Sequence, residues 1–269
     1  MMKLSLHTLP EVPLEAEVIA PDHLSGLSET EVAALPVYHG NRKVELGDFF
    51  SVSGKLDNDL IEIEGDLSNI KLIGSGTTRG RISISGNVGT HLGAGMSGGE
   101  IVVEGDAGDW IGREMSGGRI IINGNAGHMV GSAVRGGAMG MLGGEIIIHG
   151  NARNEVGNGM RRGLIAIGGD TEEFTGVNML AGTIMVLGKL GMRPGAGMKR
   201  GTVVSMHEAE LLPTFTYDCT YRPNFLRYYF LHLRKLGLAI SETSINGSYQ
   251  RWCGDSIELN KGEILLFTE

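Results

Sequence analysis

Between Leu60 and Ser205 the sequence repeats every 19 residues, and a chain that repeats at this interval must bring equivalent residues back beside one another, unit upon unit. RISISGNVGTHLGAGMSGG opens at Arg81 and EIVVEGDAGDWIGREMSGG at Glu100; further units open at Glu145, Leu164 and Thr183. The unit opening at Arg119 runs to 26 residues, with seven extra around Val134 to Gly140. Three glycine rows keep fixed phase: one from Gly86 to Gly188, one from Gly93 to Gly195 and one from Gly99 to Gly201. Glycine recurring in phase marks a corner that needs positive φ or close approach of neighbouring chain. After the first row stand Asn87, Asp106, Asn125, Asn151 and Asp170, residue types suited to turns through bonds to their own backbone; Lys189 breaks the series.

Between corners the residues alternate as in strands. Ile82 and Ile84, Ile101 and Val103, Ile120 and Ile122, Ile146 and Ile148, Ile165 and Ile167, and Ile184 and Val186 each point two β-branched side chains to one face. Three corners imply three faces, and 19 residues at about 3.3 Å each give a circumference near 60 Å. The expected fold is all-β: a right-handed parallel β-helix of 19-residue coils, three short strands to a coil, spaced about 4.8 Å apart. Residues 1–59 read as an N-terminal cap, 60–205 as the coils, and 206–269 as a C-terminal extension with a helix near 224–236. Within the cap, Ser28 and Glu31 form a capping box for a short helix, and 44–54 reads as a strand pair. Met96, Met115, Met141, Met160, Met179 and Met198 share one phase and read as a gap-filling stack in the core.

The outward strand phase carries Val102, Ile121, Ile147 and Met185, an apolar stripe that water would seldom be left to cover. The helix around Phe225 and Tyr229 is apolar on most faces. These six residues are expected to meet a partner protein, unless the chain's own terminal segments lie over the stripe. Without such cover the isolated chain should self-associate.

Catalytic and metal-binding sets do not emerge. The eight histidines sit at unrelated phases, and Asp66, Asp106 and Asp170 belong to turns. Cys219 and Cys253 form no CxxC, so neither a cluster nor a structural zinc is expected in this chain. A net charge of −8 argues against nucleic acid or an anionic membrane as partner. The acidic, proline-containing start and the absence of a spanning apolar run point to a cytoplasmic protein. One constellation stands out: Arg161 and Arg162 precede a third-row corner, Lys199 and Arg200 precede another two units later, and Arg135 lies in the insertion. Such a basic strip suits an acidic partner or a polyanionic ligand.

The glycine-phased units, with their GMSGG, EMSGG, GMRRG and GMKRG endings, resemble the GXGXG β-helix domain. That domain occurs in the glutamate synthase large chain and in the C subunit of formylmethanofuran dehydrogenase. The segments VPLEAEVIAPDHLSGLSETEVAALPVYHGN and GDFFSVSG look like the start of that C subunit, and LLPTFTYDCTYRPNFLRYYFLHLRKLGL is similar to its bacterial form in the formyltransferase/hydrolase complex. The resemblance implies a cytoplasmic four-subunit assembly of one-carbon metabolism. It would move the formyl group of formyl-tetrahydromethanopterin to a methanofuran-type carrier and hydrolyse it to formate. The chain would then be a noncatalytic scaffold beside a formyltransferase subunit, an amidohydrolase-like hydrolase subunit and a third large subunit, binding no cofactor itself. Arg135, Arg161, Arg162, Lys199 and Arg200 would be contacts for the carrier's tail. The alternatives are the C subunit of a molybdenum or tungsten formylmethanofuran dehydrogenase and, from another class, a free-standing β-helix enzyme.

Overall fold

The computed structural model describes residues 1–268. In chain order the strands are β1 (Met2–Leu6), β2 (Leu14–Glu15), β3 (Pro36–His39), β4 (Arg42–Glu45), β5 (Phe50–Gly54), β6 (Leu60–Glu64), β7 (Ile70–Lys71), β8 (Arg81–Ile84), β9 (Ser97–Val103), β10 (Gly117–Ile122), β11 (Glu145–Ile148), β12 (Leu164–Ile167), β13 (Thr183–Val186), β14 (Arg200–Ser205), β15 (Thr216–Tyr221), β16 (Ser248–Gly254) and β17 (Lys261–Thr268). The helices are α1 (Pro21–Leu24), α2 (Glu29–Ala33), α3 (Leu226–Lys235) and α4 (Glu242–Asn246).

The strand order corrects the expected all-β parallel β-helix. The chain forms one mixed sheet of 13 strands, ordered β15-β16-β17-β14-β13-β12-β11-β10-β9-β8-β6-β1-β5, and a second of four, β4-β3-β2-β7, with helices beside them. Its middle is parallel, with Ile82 beside Ile101 and Ile146 beside Ile165, one repeat apart. Both ends turn antiparallel, at β1 with β5 and at β15, β16 and β17. The expected three strands per repeat fail for a local reason. Most repeats contribute one strand of four to seven residues to the large sheet, and a second line of contact from Leu67 through Val88, Ala107, Ala126 and Ala152 to Thr171 consists of single bridges. The remaining residues are held in tight corners whose left-handed backbone cannot continue a strand. The strand pair expected in 44–54 is also absent, since β4 pairs with β3 and β5 with β1.

The corners show what the glycine rows accomplish. Gly157, in the second row, has φ of +71°, and a Cβ there would overlap the Ile184 side chain. First-row Gly169 lies against the side-chain oxygen of Asn151 in the preceding repeat, leaving no room for a Cβ. A further row was invisible in the sequence: Leu72, His91, Trp110, Met129, Glu155, Phe174 and Arg193 recur at one phase with φ between 56° and 66°. A left-handed L-residue costs roughly 1–2 kcal/mol. Partners in the next repeat offset this, because His91, Trp110 and Phe174 donate their N–H groups to Asp109, His128 and Met192 carbonyls at 2.9, 2.8 and 3.0 Å.

Two apolar clusters result. The inner one contains the paired isoleucines and all six in-phase methionines, each fully buried. The outer one places Leu226, Phe230 and Leu233 of α3 over Ile147, Ala166, Met185 and Val204 of the sheet. Phe230 stacks on Tyr249 at 6.4 Å, and the Tyr249 hydroxyl donates to the Ser244 carbonyl at 2.7 Å. At the N-terminal side the capping box of α2 forms as the sequence implied, with the Ser28 hydroxyl accepting from Glu31 N–H and the Glu31 carboxylate accepting from Ser28 N–H.

Candidate functional site

A trough follows the third glycine row beside α3. Its basic part is an open cavity of about 600 Å³ lined by Arg161, Arg162, Lys199 and Arg200, with Thr183, Tyr229 and Leu259 among the other walls. The four cations converge because Arg161 and Arg162 enter one corner while Lys199 and Arg200 enter the corner two repeats on. Arg161, Arg162 and Arg200 are exposed, and Lys199 is half-buried with its ammonium 3.9 Å from Glu258. Arg135 does not join them: its guanidinium lies 5.8 Å from the Trp110 ring centroid. The insertion does approach the trough through Met139, whose sulfur is 3.7 Å from an Arg161 nitrogen.

The trough continues past Gly163 to Glu145, His232, Tyr228 and Tyr229, then to Arg81, Glu100 and Arg119. Here charge alternates down the sheet. Arg81 and Arg119 each lie 3.6 Å from Glu100, and Glu145 accepts from both Arg119 and His232 at 2.9 Å. Burial alone would raise the Glu145 carboxyl; the His232 and Arg119 hydrogen bonds outweigh it and hold the group below its usual range. One end of the trough is therefore neutralised by its own pairs and the other carries surplus positive charge, which selects anions for the basic end. Alternating-sign pairing between adjacent strands was readable from Arg81, Glu100, Arg119 and Glu145 at one phase; His232 was not, because it arrives from a separate helix.

The apolar residues separate into two sets. Ile147 and Met185 are fully buried under α3, so the expectation that they meet a partner is corrected, and the stripe no longer argues for self-association. The cause is the α3 face of Leu226, Phe230 and Leu233, which satisfies the stripe within the chain. Val102 is 8% exposed and Ile121 half-buried, while Phe225 is 39% exposed and Tyr229 half-buried beside the trough. Among the described residues no group of three or more His, Cys, Asp or Glu is placed to hold a metal, and no helix is long and apolar enough to cross a membrane.

Sheet, corners and trough define a glycine-phased repeat protein with an anion-facing edge. Comparison with known proteins narrows the class. The chain is similar to a chain of the formyltransferase/hydrolase complex (FhcABCD) from Methylorubrum extorquens, solved in complex with methylofuran: 37% identity, 99% of this chain and 100% of that one, TM-score 0.91. It is 49% identical over 83 residues to the C subunit of molybdenum-containing formylmethanofuran dehydrogenase 1 from Methanothermobacter marburgensis, covering 30% of this chain and 21% of that protein. It is 39% identical over 75 residues to the C subunit of the formyltransferase/hydrolase complex Fhc from Methylorubrum extorquens, covering 28% of each. The chain belongs to the family of C subunits that these complexes share. Its matches span only 21% and 28% of the length of these two curated relatives. No family model matches the chain.

Proposed function

We propose that this chain is a noncatalytic assembly subunit of a complex that transfers the formyl group of formyl-tetrahydromethanopterin to a methanofuran-type carrier and hydrolyses it to formate. The observation that carries this is the end-to-end likeness, 99% of one chain against 100% of the other, to a chain of a formyltransferase/hydrolase complex. Its partners in this reading are a formyltransferase subunit, an amidohydrolase-like hydrolase subunit and a third large subunit, in the cytoplasm. Formyl transfer and hydrolysis belong to those partners, and this chain supplies surfaces. The carrier's acidic tail is assigned to the basic end of the trough, where Arg161, Arg162, Lys199 and Arg200 face one cavity. Arg135 takes a peripheral place, since its guanidinium is already occupied by Trp110.

A second reading, the C subunit of a molybdenum or tungsten dehydrogenase, is favoured by the 49% identity over 83 residues. Affinity purification of the native complex separates the two. Co-purification of a formyltransferase and a hydrolase without molybdenum, tungsten or iron-sulfur is expected; recovery of those redox centres would transfer the assignment to the dehydrogenase. For the trough, Arg162→Glu with Arg200→Glu in the assembled complex should raise the KM for the carrier and leave subunit stoichiometry unchanged. An unchanged KM would remove the tail from this site.

A further inference from the structure

We propose that the outward face of α3 docks a partner protein presenting an apolar pocket rimmed by carboxylates, an inference that rests on reading the chain as a subunit. The inner face of α3 already meets the sheet through Leu226, Phe230 and Leu233. Folding therefore does not account for its outer face, where Tyr228 is 80%, Phe225 39% and Leu231 36% exposed. Residues at i, i+3 and i+6 share one helix surface, so these three form a single apolar ridge. Tyrosine beside arginine in such a ridge is the composition of an interface centre.

Charge identifies the occupant. The protein carries a net charge of −8, yet 222–236 contains Arg222, Arg227, Arg234 and Lys235 and no acidic residue. Arg234 is engaged by Glu242 at 2.6 Å, whereas Arg222, Arg227 and Lys235 are exposed and form no ion pair among the described residues. A second copy of this chain is a poor fit: a two-fold antiparallel pairing of α3 would set Arg227 against Lys235, like charge against like. An acidic-rimmed pocket on a different protein satisfies both the ridge and its cations.

The test uses the complex assembled by co-expression, with a photoreactive residue at position 228 and, separately, the variants Tyr228→Ala and Arg222→Glu. The chain carrying the photoreactive residue should crosslink to a partner peptide containing Asp or Glu. Each variant should weaken assembly on the order of tenfold, the Arg222→Glu loss being larger at low than at high salt and the Tyr228→Ala loss insensitive to salt, with circular dichroism and melting of the isolated chain unchanged. Wild-type assembly with undiminished variant assembly and no crosslink would overturn the inference while leaving the subunit reading standing. A crosslink to a second copy of this chain would also overturn it, and failure of the wild type to assemble would overturn both.

Discussion

The Asn and Asp residues after the first glycine row serve the stack rather than their own turns. Asn87 accepts from the Asp106 N–H, Asp106 from Asn125, Asn125 from Asn151, Asn151 from Asp170 and Asp170 from Lys189, at 2.7 to 2.9 Å. The row was legible in the sequence; its partner was not, because a side chain's reach into the next unit depends on stacking distance. Lys189 breaks the pattern at the last rung, where its N–H is received and its own side chain need accept nothing from a following unit. Asn151→Ala should cost about 0.5–1.5 kcal/mol in urea unfolding and Asn151→Asp much less, since the carboxylate keeps the acceptor. The left-handed row from Leu72 to Arg193 was hidden because its residue types share no chemistry; only their backbone conformation makes them alike. Glu145 carries a pH prediction. Its carboxyl is depressed in the folded protein, so its stabilisation is present above the unfolded value and is lost as pH falls through the folded one. Melting temperature followed from pH 6 downward, through the region around and below the ordinary carboxylate value, should fall less steeply for Glu145→Gln than for wild type.

At the scale of elements, the sequence located α3 and the apolar stripe but left open whether the chain or a partner joined them, since periodicity fixes a face without naming what covers it. The structure brings the two together, and the two faces of α3 should respond differently to truncation. Phe230→Ala should cost about 3–5 kcal/mol by opening the outer cluster, whereas Tyr228→Ala should change stability of the isolated chain by less than about 0.5 kcal/mol, both read by chemical denaturation. The corners are as exacting as the helix. Gly157→Ala combines positive φ with overlap on Ile184 and should destabilise by about 2–4 kcal/mol, in contrast to an alanine at Gly26, where no atom lies within 4 Å of the added carbon and only the φ cost of about 1–2 kcal/mol applies.

For the whole molecule, the repeat period predicted parallel neighbours one unit apart, and the sheet has them. What it did not predict was how the run ends. β1 returns beside β6 and β17 beside β14, and antiparallel strands then close the series, because segments outside the repeat carry no phase from which their pairing could be read. Four of the five basic residues of the candidate strip came together because they share the third-row phase; Arg135 lies in the insertion, where phase is lost. Removing 222–247 should bare Ile147, Ala166, Met185 and Val204 and turn a dispersed chain into aggregates detectable by light scattering, while the repeats keep their far-ultraviolet signature.

The side-chain rungs linking successive corners also act as a counting device. A deletion of one residue within a unit would carry an Asn or Asp away from the N–H it serves and turn core isoleucines outward together. An in-frame duplication of 19 codons would preserve every rung and lengthen the molecule by about 4.8 Å. The seven-residue insertion of 134–140 obeys the same arithmetic by looping out and returning to phase before Met141. A gene encoding such a protein can change its length in whole units, and tolerates fractional change only where the chain leaves the stack and rejoins it in step.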